Sequence, residues 1–271
     1  MSVNFYHPQE LQSWLSKNGL ALTKARGQNF LLDQKILKHM ASLLPEQGEV
    51  LEIGPGLGHL TRFLAKRTAN LTLIEFDQGF IPHLTALFPG VQILHADFLR
   101  TKLSFIGSQD KILIANLPYN ITSNVLLKML KEKAYVKEFY LLLQKEAGEK
   151  LMESPGSKKY SRLSVLYQLF AEVKELFPVP SGAFYPAPQV ESAFFHFRFT
   201  ELPYQSQLVD FVSGLFSNRR KTLSHILRKK YPQGDAVMEN LGIAPGARPE
   251  VLMPSEFLSL YLALGQTTKE G

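Results

Sequence analysis

A chain of 271 residues, 45% apolar and 20% charged, has the length and composition of one large soluble domain plus a small one. It contains no cysteine, which excludes disulfides and thiolate chemistry and points to a cytosolic setting. The formal charge of +6 fits either a merely basic soluble protein or one with a polyanion partner. The seven histidines show no H-x-x-x-H or similar ligand spacing, so no metal site is expected. No apolar stretch approaches the roughly 20 residues that span a membrane. Residues 1–10 are polar, so no secretory signal is expected.

In chain order, helical spacing predicts helices at 8–18 and 33–44, ahead of the first strand. Apolar runs of strand character follow at 50–53, 71–75, 91–95, 112–115 and 139–143. Helical patterns at 59–67, 78–88 and 120–131 lie between them. Strand–helix alternation with short links predicts an α/β fold, a parallel sheet wound with helices on both faces. A further helix is predicted at 161–171, where Leu163, Leu166, Tyr167 and Phe170 recur at helical spacing. Pro178, Pro180, Pro186 and Pro188 remove backbone donors, so 178–192 is expected to be a rigid extended loop rather than a central strand. In 193–199, Phe195, Phe197 and Phe199 alternate with His196 and Arg198, a strand pattern. Beyond residue 200 only helical patterns remain, at 205–230, 234–241 and 255–263. A boundary is therefore expected at 200–204, dividing a domain of 1–202 from a helical one of 203–271.

The chemistry-bearing residues fall at the strands' carboxyl ends, where open α/β sheets bind ligands. After the first of the five runs comes Glu52-Ile53-Gly54-Pro55-Gly56-Leu57-Gly58. Its glycines let the backbone turn sharply and approach a ligand near a helix N-terminus. An ordinary tight turn would carry the same residues. A dinucleotide fingerprint would need a third glycine where His59 stands, and the acid ahead of the first glycine is more typical of S-adenosylmethionine sites. Glu75 ends the next strand, where a carboxylate can accept from both ribose hydroxyls; a solvated strand-end acid is the alternative. Asp97 can accept from an adenine amino group with Phe98 packed on the base, or it can be a turn aspartate.

Asn116-Leu117-Pro118-Tyr119 ends the 112–115 strand. Asparagine and proline also favour plain turns. Here, however, Pro118 holds Leu117 extended, fixing where the carbonyls of Asn116 and Leu117 point, and Tyr119 sets a ring beside them. The N6 nitrogen of adenine is a poor nucleophile because its lone pair is delocalised into the ring. Hydrogen bonds from its N–H groups to the Asn116 side-chain oxygen and the Leu117 carbonyl would orient it and favour the positive charge that grows as it attacks a sulfonium methyl. Asn29 and Leu31, in Gly27-Gln28-Asn29-Phe30-Leu31, read either as a lid on the cofactor or as a helix-entry loop. Phe184, in Phe184-Tyr185-Pro186, reads either as the second wall of a base sandwich or as an aromatic packed under a loop.

Cations cluster in two places. Residues 218–231 hold six and no acid, including Arg219, Arg220 and Lys221. Residues 144–162 include Lys145, Lys150, Lys158, Lys159 and Arg162. Such clusters suit phosphate contacts.

Together these segments resemble the ribosomal RNA adenine N6,N6-dimethyltransferases of the bacterial KsgA type, from about residue 20 to 230. The resemblance rests on Gly27-Gln28-Asn29-Phe30-Leu31-x-Asp33, the 52–58 loop, Glu75, Asp97, Asn116 to Tyr119, and Phe184-x-Pro186-x-Pro188-x-Val190-x-Ser192. Leu143-Gln144-Lys145-Glu146 and Arg219-Arg220-Lys221-Thr222-Leu223 are similar to further family segments. It implies a Rossmann-like class I methyltransferase domain with seven strands, the last pair antiparallel, and a small all-helical C-terminal domain. It implies transfer of four methyl groups from S-adenosylmethionine, leaving S-adenosylhomocysteine, to two adjacent adenosines near the 3′ end of 16S rRNA. The expected partner is the immature 30S subunit, and the expected setting is a cytoplasmic monomer. By position, Asn29, Leu31, Gly54, Gly56, Glu75, Asp97 and Asn116 would contact the cofactor. Asn116 and Leu117 would hold the amine, and Tyr119 and Phe184 would stack on the base. Lys145, Lys158, Lys159, Arg162, Arg219, Arg220 and Lys221 would meet RNA. Ser161 departs from the family pattern, which usually has glycine there, and Ala147-Gly148 also departs. DNA adenine and protein glutamine methyltransferases more often carry proline at position 117. An assembly or transcription factor that kept the fold and lost catalysis is the alternative from another class.

Overall fold

The computed structural model describes residues 4–20, 29–46, 48–106 and 110–267. By internal contacts the chain forms two compact units. One comprises Met1–Glu146 with Lys174–Arg198, the other Ala147–Val173 with Phe199–Gly271. The chain thus passes to the second unit twice. Its last crossing lies a few residues before the expected 202/203 boundary.

The first unit opens with helix α1 (Pro8–Lys17), the two-residue strand β1 (Phe30–Leu31) and α2 (Gln34–Ser42). Asp33 starts α2 by accepting from the N–H groups of Lys35 at 2.8 Å and Ile36 at 3.1 Å, donors that the first helical turn leaves unpaired. Then come β2 (Val50–Ile53), α3 (Thr61–Leu64), β3 (Leu71–Glu75), α4 (Ile81–Leu87), β4 (Gln92–His95), β5 (Lys111–Asn116), α5 (Thr122–Lys131) and β6 (Val136–Gln144). All of β2 and β3 and nearly all of β5 and β6 are buried, as expected of strands covered on both faces.

The sheet order is β4-β3-β2-β5-β6-β9-β7, with β7 spanning Ala171–Val179 and β9 Ser192–Phe199. Strands β4 to β6 in that order pair in parallel, and β9 pairs antiparallel to β6. Winding outward from β2 to β3 and β4, then crossing back to β5, makes β2/β5 the switch point where such sheets open a crevice. A second, two-stranded sheet pairs β1 with β8 (Phe184–Tyr185), setting Phe30 opposite Tyr185 and Leu31 opposite Phe184. The 178–192 stretch is thus largely the extended loop expected, with β8 inside it.

The sequence pattern did not predict β7. Its charges are irregularly spaced and it contains Pro178, which a strand at the sheet's edge tolerates because one side needs no ladder partner.

The second unit contains α7 (Arg162–Phe170), α8 (Ser206–Ser217), α9 (Leu223–Leu227), α10 (Gly234–Asn240) and α11 (Pro254–Thr267); the short α6 (Lys145–Glu149) precedes them. The single 205–230 pattern is two helices. Asn218 ends α8, and the Thr222 side chain restarts the helix by accepting from the His225 N–H at 3.4 Å. Ser161 begins α7 in extended backbone (φ −147°), where no glycine is required. Its N–H donates to the Ser164 hydroxyl at 3.0 Å. Among the described residues no helix is long and apolar enough to cross a membrane.

Candidate functional site

The ends of β2, β3, β4 and β5 surround a cavity of about 400 Å³ in the first unit, within the roughly 300–1,000 Å³ of small-molecule sites. Its lining includes Asn29, Leu31, Gly54, Gly56, Glu75, Asp97, Asn116 and Leu117, drawn from five separate stretches. Phe30, Leu37 and Met40 form an apolar wall beside them.

The glycine loop is held open by Glu75. The Gly56 N–H donates to Glu75 Oε2 at 2.9 Å, and the Asp77 N–H to its Oε1 at 2.8 Å. Gly56 has φ +55°, a backbone conformation that favours glycine, and a Cβ there would lie 3.2 Å from the Phe30 ring, a tight contact. Burial pushes the Glu75 carboxyl up, against those hydrogen bonds. Glu52 is more deeply buried. The Thr61 hydroxyl donates to its Oε2 at 2.7 Å, yet desolvation pushes it up to about 8, with Glu75 adding a smaller like-charge push. His59 occupies the place of a dinucleotide site's third glycine. It is buried, shares a hydrogen bond with the Phe5 carbonyl at 3.0 Å, and is pushed down to about 4 by desolvation, hence neutral.

Besides the buried, protonated Glu52, the described lining carries Glu75, Asp77 and Asp97 but no Lys or Arg, a setting suited to a cationic ligand. Among the described residues no cluster of metal-binding side chains occurs. Phe76 is 68% exposed and lines the same cavity; it is not among the residues singled out from sequence, although an aromatic directly after a strand-end acid is visible there.

Asp97 makes the bond expected of a turn aspartate, its Oδ1 accepting from the Leu99 N–H at 2.9 Å, and it stands at the cavity. Asn116 donates through Nδ2 to the Asn29 carbonyl at 3.3 Å, which leaves the acceptor end of the amide, Oδ1, to meet an incoming amine. Pro118 follows at φ −55°, ψ 133°, and Tyr119 begins a 3₁₀ turn (Tyr119–Ile121). The Tyr119 hydroxyl lies 2.6 Å from Ser192 Oγ, joining the 116–119 segment to the end of the proline-rich loop, and burial pushes its phenol up.

Phe184 does not line the cavity. It is 5% exposed and belongs to the apolar core, opposite Leu31 in the β1–β8 pair. The packed-aromatic reading describes its position, because backbone pairing there turns the ring inward. Gly27 and Gln28 lie outside the described residues.

The expected RNA-facing cations divide between the units. Lys145 is in the first, 3.8 Å from Glu175. In the second, Lys158, Lys159, Arg162, Arg220 and Lys221 are exposed. Arg219 is tied to the protein itself. Its Nε donates to Glu250 Oε2 at 2.5 Å and its guanidinium reaches the Lys158 carbonyl at 3.3 Å.

The chain matches the family model described as ribosomal RNA adenine dimethylase over residues 20–266. It is 38% identical to ribosomal RNA small subunit methyltransferase A of Geobacter metallireducens, over 91% of this chain and 96% of that protein. It is 34% identical to the protein of the same name from Shouchella clausii, over 97% and 96%. Among solved structures, a dimethyladenosine transferase from Plasmodium falciparum superposes with a TM-score of 0.76 at 23% identity, covering 87% of this chain and 97% of that one. The 23S rRNA methyltransferase ErmE superposes with a TM-score of 0.65 at 26% identity, covering 88% and 100%.

Proposed function

This chain belongs to the ribosomal RNA adenine dimethylase family, and on that premise we propose how its residues divide the reaction. The enzyme transfers methyl groups from S-adenosylmethionine to adenine in ribosomal RNA. Bound in the cavity, this cofactor supplies an electrophilic methyl on a sulfonium. The cavity suits it: carboxylates at the neighbouring ends of β3 and β4, a glycine loop open at φ > 0 after β2 and an amide at the end of β5, with no Lys or Arg among the described lining residues. Glu75 would accept from the ribose hydroxyls while bracing Gly56. Gly54 and Gly56 would let the backbone approach, Asp97 would accept from the adenine amine of the cofactor, and Asn29 and Leu31 would close over the methionine end.

The observation that carries the reading is the anchored Asn116 amide. With Nδ2 held by Asn29, Oδ1 and the Leu117 carbonyl can accept from both N–H groups of a target N6. Held by these two acceptors, the amine would be oriented toward the methyl donor, and the Asn116 and Leu117 oxygens would favour the positive charge that grows on the nitrogen as it is methylated. Tyr119, fixed by Ser192, would stack on the flipped base. Phe184, buried opposite Leu31, would brace Leu31 at the cofactor rather than stack on the base.

The target we propose is a pair of adjacent adenosines in a hairpin loop near the 3′ end of 16S rRNA, dimethylated by a cytoplasmic monomer late in 30S biogenesis. The small-subunit names of the relatives and the exposed cations support this. Labelled methyl transfer to undermethylated small subunits is the test. Asn116→Ala should lower the rate by roughly two to three orders of magnitude; unimpaired transfer overturns the assignment. Naked short RNA methylated as fast as subunits would overturn the 30S reading.

A further inference from the structure

One turn before the end of α5, Lys128 carries a charge into the protein with 10% of its side chain exposed. Its Nζ donates to the Thr101 carbonyl at 2.5 Å, lies 3.1 Å from Glu132 Oε1 and stands 5.2 Å from the centroid of the Phe98 ring. Glu132 in turn accepts from the Leu103 N–H at 3.2 Å through its other oxygen. The loop between is anchored at its start by Asp97, whose carbonyl accepts from the Thr101 N–H at 3.0 Å and hydroxyl at 2.8 Å. Asp97, Phe98 and Leu99 line the cavity, and α5 begins directly after the Tyr119–Ile121 turn.

Burying an ion pair is seldom a net gain over apolar side chains of the same volume. A methionine at 128 could cover Phe98 equally well. What the lysine adds is geometry: a cation over a ring and a donor to a carbonyl three residues further along, both from one atom. We propose that Lys128 is a positioning residue for the adenine end of the cofactor, setting the Phe98 ring and the 97–103 loop against the helix that continues from the target-amine segment. This rests on the reading of the cavity as the cofactor site with Asp97 and Phe98 at the adenine.

The test is calorimetric titration of S-adenosylhomocysteine and of 5′-methylthioadenosine, which shares the adenosine end but lacks the amino acid. It uses wild type, Lys128→Met, Lys128→Arg and Phe98→Ala, with methyl-transfer kinetics on the same proteins. Lys128→Met should weaken both ligands roughly five- to tenfold. The KM for the methyl donor should rise to match, with kcat at saturation within about twofold of wild type. Lys128→Arg should recover most of the affinity. Phe98→Ala should weaken both ligands at least as much, and adding Lys128→Met to it should bring no further loss.

If Phe98→Ala weakens binding and Lys128→Met does not, the role of Lys128 fails while the cofactor reading stands. If Phe98→Ala changes nothing, the adenine-end reading fails and the proposal with it. A fall in kcat with both affinities intact would show a general structural role and overturn the proposal. Should Lys128→Met not fold, Lys128→Met with Glu132→Gln, which keeps an oxygen for the Leu103 N–H, replaces it with the same expectations.

Discussion

In the first unit, the residues that face the cavity are held by backbone. Glu75 grips Gly56 and Asp77, Asn116 is anchored on Asn29, and Asp97 caps its own turn. In the second unit, the cations at 158–162 and 219–221 stand mostly exposed on short helices and turns, and Arg219 is committed to Glu250. The difference follows from the ligands assigned to each. A reacting methyl tolerates little displacement, so its site is preorganised. A phosphate backbone is met by charge at long range, so side chains there can remain mobile and interchangeable. Substitutions in the first unit should therefore act individually and steeply, and those in the second weakly and additively.

The steepest effect tests preorganisation directly. Glu75→Ala removes the acceptor of two backbone N–H groups as well as the ribose partner. Cofactor affinity should fall by about 3 kcal/mol, roughly a hundredfold. RNA binding without cofactor should be unchanged. A loss below fivefold in a cofactor titration would mean that the loop keeps its shape unaided. Tyr119 comes next. Tyr119→Ala should lower kcat/KM for RNA by about 1–3 kcal/mol through lost stacking. Tyr119→Phe loses only the bond to Ser192 and should fall by about 1 kcal/mol. Equal effects of the two would assign the residue's role to its hydroxyl.

The first unit was also the more legible in sequence, for the same reason. Gly54, Glu75, Asp97 and Asn116 each end an apolar run, and a parallel sheet brings such ends together whatever the loops do. Contacts made between distant loops were not legible. The pairing of Leu31 with Phe184 joins two-residue strands more than 150 positions apart, and the Tyr119–Ser192 bond spans 73 positions. Without that pairing the sequence cannot choose between a stacking wall and a packed aromatic at Phe184. Lys128 was hidden differently: on a helical pattern a lysine is ordinarily solvated, and only the fold shows it turned onto Phe98. In the second unit the 218–231 cluster was visible as charge. Which of its cations would bond inward was not, because Glu250 lies 31 positions from Arg219.

Preorganisation with buried acids also leaves a signature in pH. Glu52 is pushed up to about 8 from an ordinary 4.5, and His59 down to about 4 from 6.5, both chiefly by burial. The unfolded chain loses the Glu52 proton first, so that group's stabilisation is complete below 4.5 and is lost as pH rises toward 8. The His59 contribution is complete above 6.5 and is lost as pH falls toward 4. Between 4.5 and 6.5 the two slopes oppose each other. Above 6.5 Glu52 acts without that counterweight; Glu75, also raised, adds a slope of the same sign above its ordinary 4.5. His83, lowered by burial, sides with His59. Unfolding in urea should therefore show stability falling by about 2 kcal/mol from pH 6.5 to 8 without cofactor. Glu52→Gln, which can still accept from Thr61, should remove most of that fall. A slope that persists in this variant would mean that Glu52 is ionised in the folded protein.

The smallest effects belong to the second unit, and they separate cations that bind outward from those that bind inward. Arg220→Ala and Lys221→Ala should each weaken RNA binding by about 1 kcal/mol at low salt, lower the slope of log affinity against log salt by about 0.7–0.9, and leave stability unchanged. Arg219→Ala should do the reverse. Its partner Glu250 is about three-quarters buried, so removing the guanidinium should lower stability by about 1 kcal/mol after allowance for the exposed half of the pair. The salt slope should hardly move. If Arg219→Ala instead lowers the slope as its neighbours do, its bond to Glu250 gives way to phosphate when RNA arrives, and the contrast between a fixed site and an adjustable surface would extend to a residue that looks fixed in the free protein.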